Sequence, residues 1–125
     1  MVVHRELSDS EKQAASLMRQ MVLLFAGESK RSIPLGHIET FLLIAADEGH
    51  SVNEYADRAG VSKSVMSRQT LDIGDATRAH EPGLQWVTSR VNPMERRSHQ
   101  MYLTPKGRAL AHRLQTLLDR WRNGR

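Results

Sequence analysis

The sequence predicts a mainly α-helical domain with one small β-hairpin, and three observations lead to this fold class. Apolar residues recur at helical spacing near the N-terminus and again after residue 105. Two short helical segments, 53–59 and 63–73, are separated by only three residues. Between residues 84 and 104, two segments rich in strand-forming residues flank a turn-forming stretch. At 125 residues, we expect the whole chain to form a single domain.

The first predicted helix covers residues 9–26. Ser8 and Glu11 have the spacing of a capping box, and Gly27 follows the last helical residue. The helix carries a broad apolar stripe whose centre is Leu17, Met21 and Leu24. A stripe of this width is explained either by a well-covered core helix or by a second contact, such as another subunit.

A second helix is predicted to start near Pro34, which has no N–H to leave unpaired in a first turn, and to close at Gly49. Its pattern places Leu35, Ile38 and Leu42 on the apolar side, with Phe41 and Ile44 flanking that side.

Residues 53–74 are predicted to form a helix-turn-helix. Gly60 can take the positive φ that ends the first helix, and Ser62 can cap the second. On the second helix, Met66, Thr70 and Ile73 share one face, which we expect to turn toward the core. Short hydrogen-bonding side chains and long cations then fall on the exposed side, as in helices that enter the DNA major groove: Lys63, Ser64, Ser67 and Arg68. An ordinary two-helix corner with a solvated polar face is the alternative.

Residues 84–104 are predicted to form a hairpin, the wing, followed by a last helix over 105–122. Strands at 84–91 and 98–104 flank a polar, basic turn, and residues 74–82 form a helix end or a loop ahead of them. Thr104 is a natural N-cap and Pro105 suits the first helical position. The apolar stripe of the last helix includes Leu114, Leu117 and Trp121.

Charge is distributed unevenly along the chain. Residues 1–50 carry 5 basic and 7 acidic side chains, whereas residues 51–125 carry 13 basic and 7 acidic ones. The basic excess therefore accompanies the helix-turn-helix, which agrees with a polyanionic partner. There is no cysteine, so disulfides and thiolate metal sites are excluded. No pair of histidines has the spacing of a helical metal site, and no motif of a nucleophilic, phosphate-binding or zinc-dependent enzyme is present.

Four motifs, in order and at nearly the expected spacing, resemble those of the MarR family of winged-helix transcription regulators. They are residues 54–62 (EYADRAGVS), with Tyr55 where the family usually has Leu; 66–68 (MSR); 93–97 (PMERR), with Glu95 in place of Asp; and 103–108 (LTPKGR). The match covers about residues 35–118. The chain departs from the family in a longer segment before the wing and in ending after one C-terminal helix.

The resemblance implies a DNA-binding surface on the recognition helix and the wing. It implies that Arg68 contacts a base or phosphate and that Arg97 enters the minor groove, with Glu95 orienting one wing arginine. An ion pair with Asp72, four residues on, is the alternative for Arg68. The full set of predicted DNA-binding residues is Ser62, Lys63, Ser64, Ser67, Arg68, Arg90, Arg96 and Arg97.

We therefore expect a sequence-specific duplex-DNA-binding regulator, a repressor, that acts as a homodimer and is not an enzyme. The expected dimer contacts lie on the first and last helices: Leu17, Met21, Leu24, Leu114, Leu117 and Trp121. Two other hypotheses are a winged helix that docks an acidic protein and an architectural or replication-associated DNA binder. The resemblance alone adds a small-molecule effector, which no residue identifies. No apolar run is long enough to span a membrane, so we expect a cytoplasmic protein without membrane contact, cofactor or metal.

Overall fold

The computed structural model describes residues 5–27, 32–75 and 79–124, without the side chains of Arg96 and Arg97. It contains five helices and a two-stranded antiparallel sheet within these ranges, which confirms the predicted fold class. In chain order the elements are α1 Asp9–Gly27, α2 Leu35–Ala46, α3 Val52–Ala59, α4 Lys63–Asp72, β1 Val87–Asn92, β2 Glu95–Leu103 and α5 Pro105–Asn123. No helix in the described part of the chain has both the length and the apolarity needed to cross a membrane.

Side-chain caps begin most of these helices where the sequence indicates. Ser8 and Glu11 form the expected reciprocal capping hydrogen bonds ahead of α1. The Ser62 hydroxyl accepts a hydrogen bond from the Val65 N–H, and the Thr104 hydroxyl accepts one from the Gly107 N–H. These bonds satisfy N–H groups that have no partner within their own helix.

The core is centred on three aromatic rings from different parts of the chain. Phe25 of α1, Phe41 of α2 and Trp86 meet edge to face, with ring centroids 5.3–5.8 Å apart. Leu110 of α5 and Tyr55 of α3 are fully buried in the same cluster. The helices α1, α2, α3 and α5 are thereby anchored to one apolar interior, to which α4 also contributes, and this is the arrangement of a single core.

The face that α2 buries differs from the expected one. Phe41 and Ile44 are completely buried, whereas Leu35 and Leu42 are 80% and 43% exposed. The helix is apolar on nearly every side, so the spacing of its apolar residues does not select one face. The helix also ends at Ala46, before Gly49, whose φ is +93°.

The wing begins three residues later than the sequence indicates. The N–H groups of Leu84, Gln85 and Trp86 donate hydrogen bonds to the carbonyls of Asp72, Gly74 and Ile73, 2.8–3.0 Å away. Because these donors are used at the end of α4, they do not pair with β2, and the ladder starts with Val87 opposite Leu103. Residues 83–87, which we call the strap, thus close the C-terminal end of α4.

The strap also holds the beginning of α5. The Thr104 hydroxyl donates to the Gln85 carbonyl at 2.6 Å, and the Thr104 N–H donates to the Trp86 carbonyl at 3.0 Å. Gln85 has φ +61°, a conformation that is uncommon for a residue with a side chain. The strap therefore joins the end of α4 to the start of α5 through backbone hydrogen bonds.

Candidate nucleic-acid interface

The helix-turn-helix is built by local signals that hold α3 and α4 at a fixed angle. Ser51 and Glu54 form a capping box at the start of α3. Gly60 ends that helix with φ +70°, and its N–H donates to the carbonyls of Ala56 and Asp57. Ser62 then starts α4. The turn between the two helices is three residues long, as is common in DNA-binding helix pairs.

One side of α4 faces the core and the other faces solvent. Met66 and Thr70 are buried, and Ile73, which follows the helix, is fully buried. Three predicted DNA-binding residues, Lys63, Ser64 and Arg68, are exposed, and Ser67 is half-buried. Ser62 is exposed as well, although its hydroxyl already caps the helix and lies 3.2 Å from the Ser64 hydroxyl. The exposed side therefore offers two cations and three hydroxyl groups.

Arg68 does not form the alternative ion pair with Asp72. The Asp72 carboxylate lies instead 3.4 Å from the Nε2 atom of His37 on α2. Among the residues that the structure describes, the Arg68 guanidinium has no hydrogen-bond or ion-pair partner. Arg68 is exposed, so its five N–H donors are open to a base edge or a phosphate.

The wing adds a further exposed cation, Arg90. The Arg90 guanidinium lies over the Tyr102 ring, 4.5 Å from its centroid, on the antiparallel pair formed by β1 and β2. Glu95 is exposed at the start of β2. The side chains of Arg96 and Arg97 lie outside the described residues, and so does the predicted contact between Glu95 and a wing arginine.

A cleft of about 440 Å³ separates α4 from the wing. Ser67 and Thr70 line it from α4, and Thr88, Ser89 and His99 line it from the two strands. α4 and the wing therefore line the same cleft. Ser51, which caps α3, forms a bridge with Gln100 of β2 and attaches the helix pair to the wing.

A cluster of charged side chains lies at the start of α3. The His50 ring nitrogens lie 2.7 Å from a Glu54 oxygen and 2.9 Å from an Asp47 oxygen. A hydrogen bond from Arg58 lowers the pKa of Asp47, and the Ser51 N–H lowers the pKa of Glu54. Burial raises the pKa of Tyr55, whose hydroxyl donates to the Asp47 carbonyl at 2.6 Å.

The residues expected at a dimer contact lie along the seam where α1 packs against α5. Leu24 and Leu114 pack against the core. Leu17, Leu117 and Trp121 line a cleft of about 240 Å³ between the two helices, and Met21 is half-buried. The outer side of α1 is also apolar, since Met18, Val22 and Leu23 are 60%, 49% and 49% exposed.

The sequence did not predict the side chains that contact the candidate interface from neighbouring elements. His37 and Gln69 link α2 to α4, and the ring of Tyr102 packs against the guanidinium of Arg90. Glu48 accepts hydrogen bonds from the Leu103 N–H at 2.7 Å and from the Arg108 guanidinium at 2.9 Å. The members of these pairs are 12 to 60 residues apart in the chain. No local spacing in the sequence therefore indicates that they are in contact.

This arrangement of a helix-turn-helix followed by a hairpin and an exit helix defines a winged helix. Solved structures of MarR regulators have the same fold. A MarR transcriptional regulator from Methanosarcina mazei is 18% identical with a TM-score of 0.58, and the match covers 88% of this chain and 74% of that one. MepR of S. aureus, solved as a DNA complex, is 14% identical with a TM-score of 0.62, covering 93% and 81%.

FabT of Streptococcus pneumoniae, also solved with DNA, is 18% identical with a TM-score of 0.58, covering 89% and 71%. PcaV of Streptomyces coelicolor, solved with its natural ligand, is 16% identical with a TM-score of 0.55, covering 98% and 81%. No protein-family model and no curated protein matches the chain. The chain therefore has the MarR-like winged-helix fold that its four motifs predict.

Proposed function

We propose that this protein is a sequence-specific, duplex-DNA-binding transcription regulator. The observation that carries the proposal is the side of α4 turned away from the core, which holds Lys63, Ser64, Ser67 and Arg68, the last without a partner among the described residues. Ser67 also lines the cleft between α4 and the wing. Arginine is suited to bidentate contacts with guanine, and serine lets the backbone approach the groove while still donating hydrogen bonds. Two structural neighbours, MepR and FabT, are solved with DNA, which supports the same role here.

In the proposed complex, α4 enters the major groove and the wing follows the phosphate backbone. Arg90 on its Tyr102 platform binds a phosphate, and Arg96 and Arg97 are the proposed contacts at the wing tip, with Glu95 orienting one of them. Lys63 and Ser62 lie at the start of α4, where the chain passes closest to the backbone. None of these roles requires chemistry on the nucleic acid, so binding alone is the proposed activity.

The experiment that tests this proposal is selection from a pool of random duplexes, with affinity then measured by fluorescence anisotropy at about 50 and 200 mM salt. Wild-type protein is compared with Arg68→Ala and Arg97→Ala. Arg19→Ala, an exposed arginine on α1, is the matched control. We expect one enriched sequence and a loss of about 5- to 150-fold in affinity with Arg68→Ala, because a base-contacting arginine contributes about 1–3 kcal/mol.

Other outcomes would replace the proposal. Salt-sensitive binding without an enriched sequence would indicate an architectural DNA binder that contacts the backbone. No binding at the lower salt concentration would indicate a winged helix that docks a protein partner. An equal loss with Arg19→Ala would show that charge alone matters and would remove the specific role of Arg68.

We further propose that the protein works as a homodimer and represses the genes next to its site. The exposed apolar side chains of α1, together with Leu17, Leu117 and Trp121 at the seam between α1 and α5, support a contact there, since large apolar patches on a surface often mark interfaces. A dimer would read two half-sites one helical turn apart, so the enriched sequence should be palindromic. The ligand complex of PcaV supports a small-molecule effector as a further partner.

A further inference from the structure

Val65 is an exposed apolar side chain among the proposed DNA contacts of α4. It is 42% exposed and does not belong to the apolar core formed by the described residues. Residues three positions apart are neighbours on the surface of a helix, so Val65 lies beside Arg68. An apolar side chain thus adjoins a guanidinium that has no partner within the described part of the chain.

Two other apolar side chains of the helix-turn-helix are exposed, and each has a structural explanation. Val61 follows the Gly60 cap, and its N–H donates to the Ala56 carbonyl at 3.1 Å. A hydrophobic residue at this position commonly packs back on the helix that ends there. Leu71 lines the cleft between α4 and the wing. Val65 has neither of these positions, because it lies in the first turn of α4 and does not line that cleft.

The place of Val65 in the helix suits contact with the edge of a base. The N-terminal residues of a recognition helix are the ones that reach base edges. Val65 is the third residue of α4, and its N–H donates to the Ser62 hydroxyl at 3.2 Å, which holds the backbone of this turn. A valine in a helix has one strongly preferred χ1 rotamer. Its methyl groups are therefore presented in nearly one orientation, and little side-chain freedom is lost on binding.

The chemistry of the side chain selects the kind of base. Valine has no hydrogen-bonding group, so packing it against a donor or acceptor on a base edge would leave that polar group without a partner. The C5-methyl group of thymine is the apolar feature of the major groove. Lys63 and Arg68, the cations before and after Val65 on α4, favour a polyanion over an apolar protein surface at this position. We propose that Val65 is a specificity-determining residue that contacts the C5-methyl group of a thymine.

The spacing along the helix gives the position of this thymine in the binding site. The inference rests on the proposed function, in which Arg68 contacts a guanine. Side chains three residues apart on a helix have Cβ atoms about 5–6 Å apart. Successive base pairs are about 3.4 Å apart along the duplex. The thymine should therefore lie one or two base pairs from the guanine that Arg68 contacts.

The test combines a change in the DNA with a change in the protein. Each thymine of the most enriched duplex is replaced in turn by deoxyuridine, which removes only the methyl group. Affinity is measured by fluorescence anisotropy at constant salt for wild-type protein, Val65→Ala and Leu42→Ala. Leu42 is the matched control, because it is 43% exposed on α2 and is not among the proposed DNA or dimer contacts.

We expect one thymine in each half-site to respond. At that position, deoxyuridine should weaken binding of the wild-type protein by about 3- to 5-fold, which is the effect of one methyl group removed from water. Val65→Ala should lose at least this factor with the thymine duplex and should bind the two duplexes equally. Leu42→Ala should bind both duplexes like the wild-type protein. The replacement in the DNA leaves the protein unchanged, so this comparison does not depend on the folding of a variant.

Two outcomes would overturn the role of Val65 alone. In one, wild-type protein binds every deoxyuridine duplex as tightly as the thymine duplex. In the other, Val65→Ala keeps the full wild-type response to deoxyuridine. If binding to the enriched sequence is still lost with Arg68→Ala, the proposed function stands in both cases. The absence of any enriched sequence would instead refute the proposed function and the role of Val65 with it.

Discussion

Gly107 lies in the first turn of α5 directly against the carbonyl of Trp86. A Cβ atom at this position would be 2.1 Å from the Trp86 oxygen, which belongs to the backbone and cannot rotate away. Thr104 and Arg108, which belong to the same motif at 103–108, also have identifiable structural roles. Thr104 caps α5, and Arg108 pairs with Glu48, which follows the end of α2. The motif that resembles the family thus has a structural explanation, since three of its residues attach α5 to the strap and to α2.

The change Gly107→Ala should therefore lower the free energy of unfolding by about 1–3 kcal/mol or more, because the helix has to move away from the strap. Gly27→Ala is the control, since a Cβ at Gly27 meets no described atom within 4 Å and its φ is not positive. Urea unfolding followed by circular dichroism measures both. If the two alanine variants were equally stable, the close approach of α5 to Trp86 would be wrong.

Single residues also show what sequence could predict. Gly60, Ser62 and Thr104 were identifiable because a cap or a positive φ is required within a few residues of a visible helix end. Gly107 and His37 were not, because their partners Trp86 and Asp72 are brought to them only by the folded chain. The same holds for the Tyr102 platform below Arg90, which depends on the register of the hairpin.

Among the elements, α3 begins within a cluster of charged side chains. The carboxylate of Glu54 accepts hydrogen bonds from the N–H and hydroxyl of Ser51 and faces the ring of His50. These contacts hold the pKa of Glu54 below its ordinary value of 4.5 in the folded protein. A carboxyl group with a lowered folded pKa stabilises the fold above its unfolded pKa and loses this contribution as the pH falls through the folded value.

Glu54→Gln should consequently reduce the melting temperature near pH 7 and should make the acid-induced loss of stability below about pH 4.5 shallower. Thermal unfolding from about pH 3 to 7 measures both effects. Glu39→Gln is the matched control, because Glu39 is exposed on α2 and has no ion-pair partner in the described part of the chain. A pH profile of Glu54→Gln parallel to that of wild type would contradict the capping role.

The element that sequence predicted least well is α2. The helix itself is predicted from twelve residues with few polar side chains. Because apolar residues occur on every side, the pattern does not indicate whether Phe41 or Leu42 is buried. The choice is made by the aromatic rings of Phe25 and Trp86, which accept Phe41 edge to face. The start of β1 also differs from the prediction. The N–H groups of residues 84–86 donate hydrogen bonds to carbonyls at the end of α4, so they are not available to a longer strand.

For the molecule as a whole, the proposed dimer is open to a direct test at Trp121. This side chain is 41% exposed at the seam of α1 and α5. Trp121→Ser should shift the mass measured by analytical ultracentrifugation toward the monomer, since a large aromatic side chain contributes strongly to an interface. Leu35→Ser, which replaces an apolar side chain that is 80% exposed on α2, should leave the mass unchanged. A monomeric wild-type protein at high concentration would exclude the dimer.

The charge distribution of the whole chain leads to a further expected result. Residues 51–125 hold 13 basic and 7 acidic side chains, and the helix-turn-helix and the wing lie in this region. A dimer that neutralises roughly 6–10 phosphates should lose about 10³–10⁵ in affinity between 50 and 200 mM salt. Arg90→Ala should reduce the slope of log affinity against log salt by about 1. An unchanged slope would show that Arg90 does not reach a phosphate.

The strap connects the C-terminal end of α4, the proposed recognition helix, to the start of α5. The same five residues close α4 through Leu84, Gln85 and Trp86 and receive the hydroxyl and N–H of Thr104 at the start of α5. The start of α5 is therefore tied to the end of α4 through these hydrogen bonds. In a dimer of the proposed kind, the distance between the two recognition helices is then set beyond Thr104, by how α5 lies against α1.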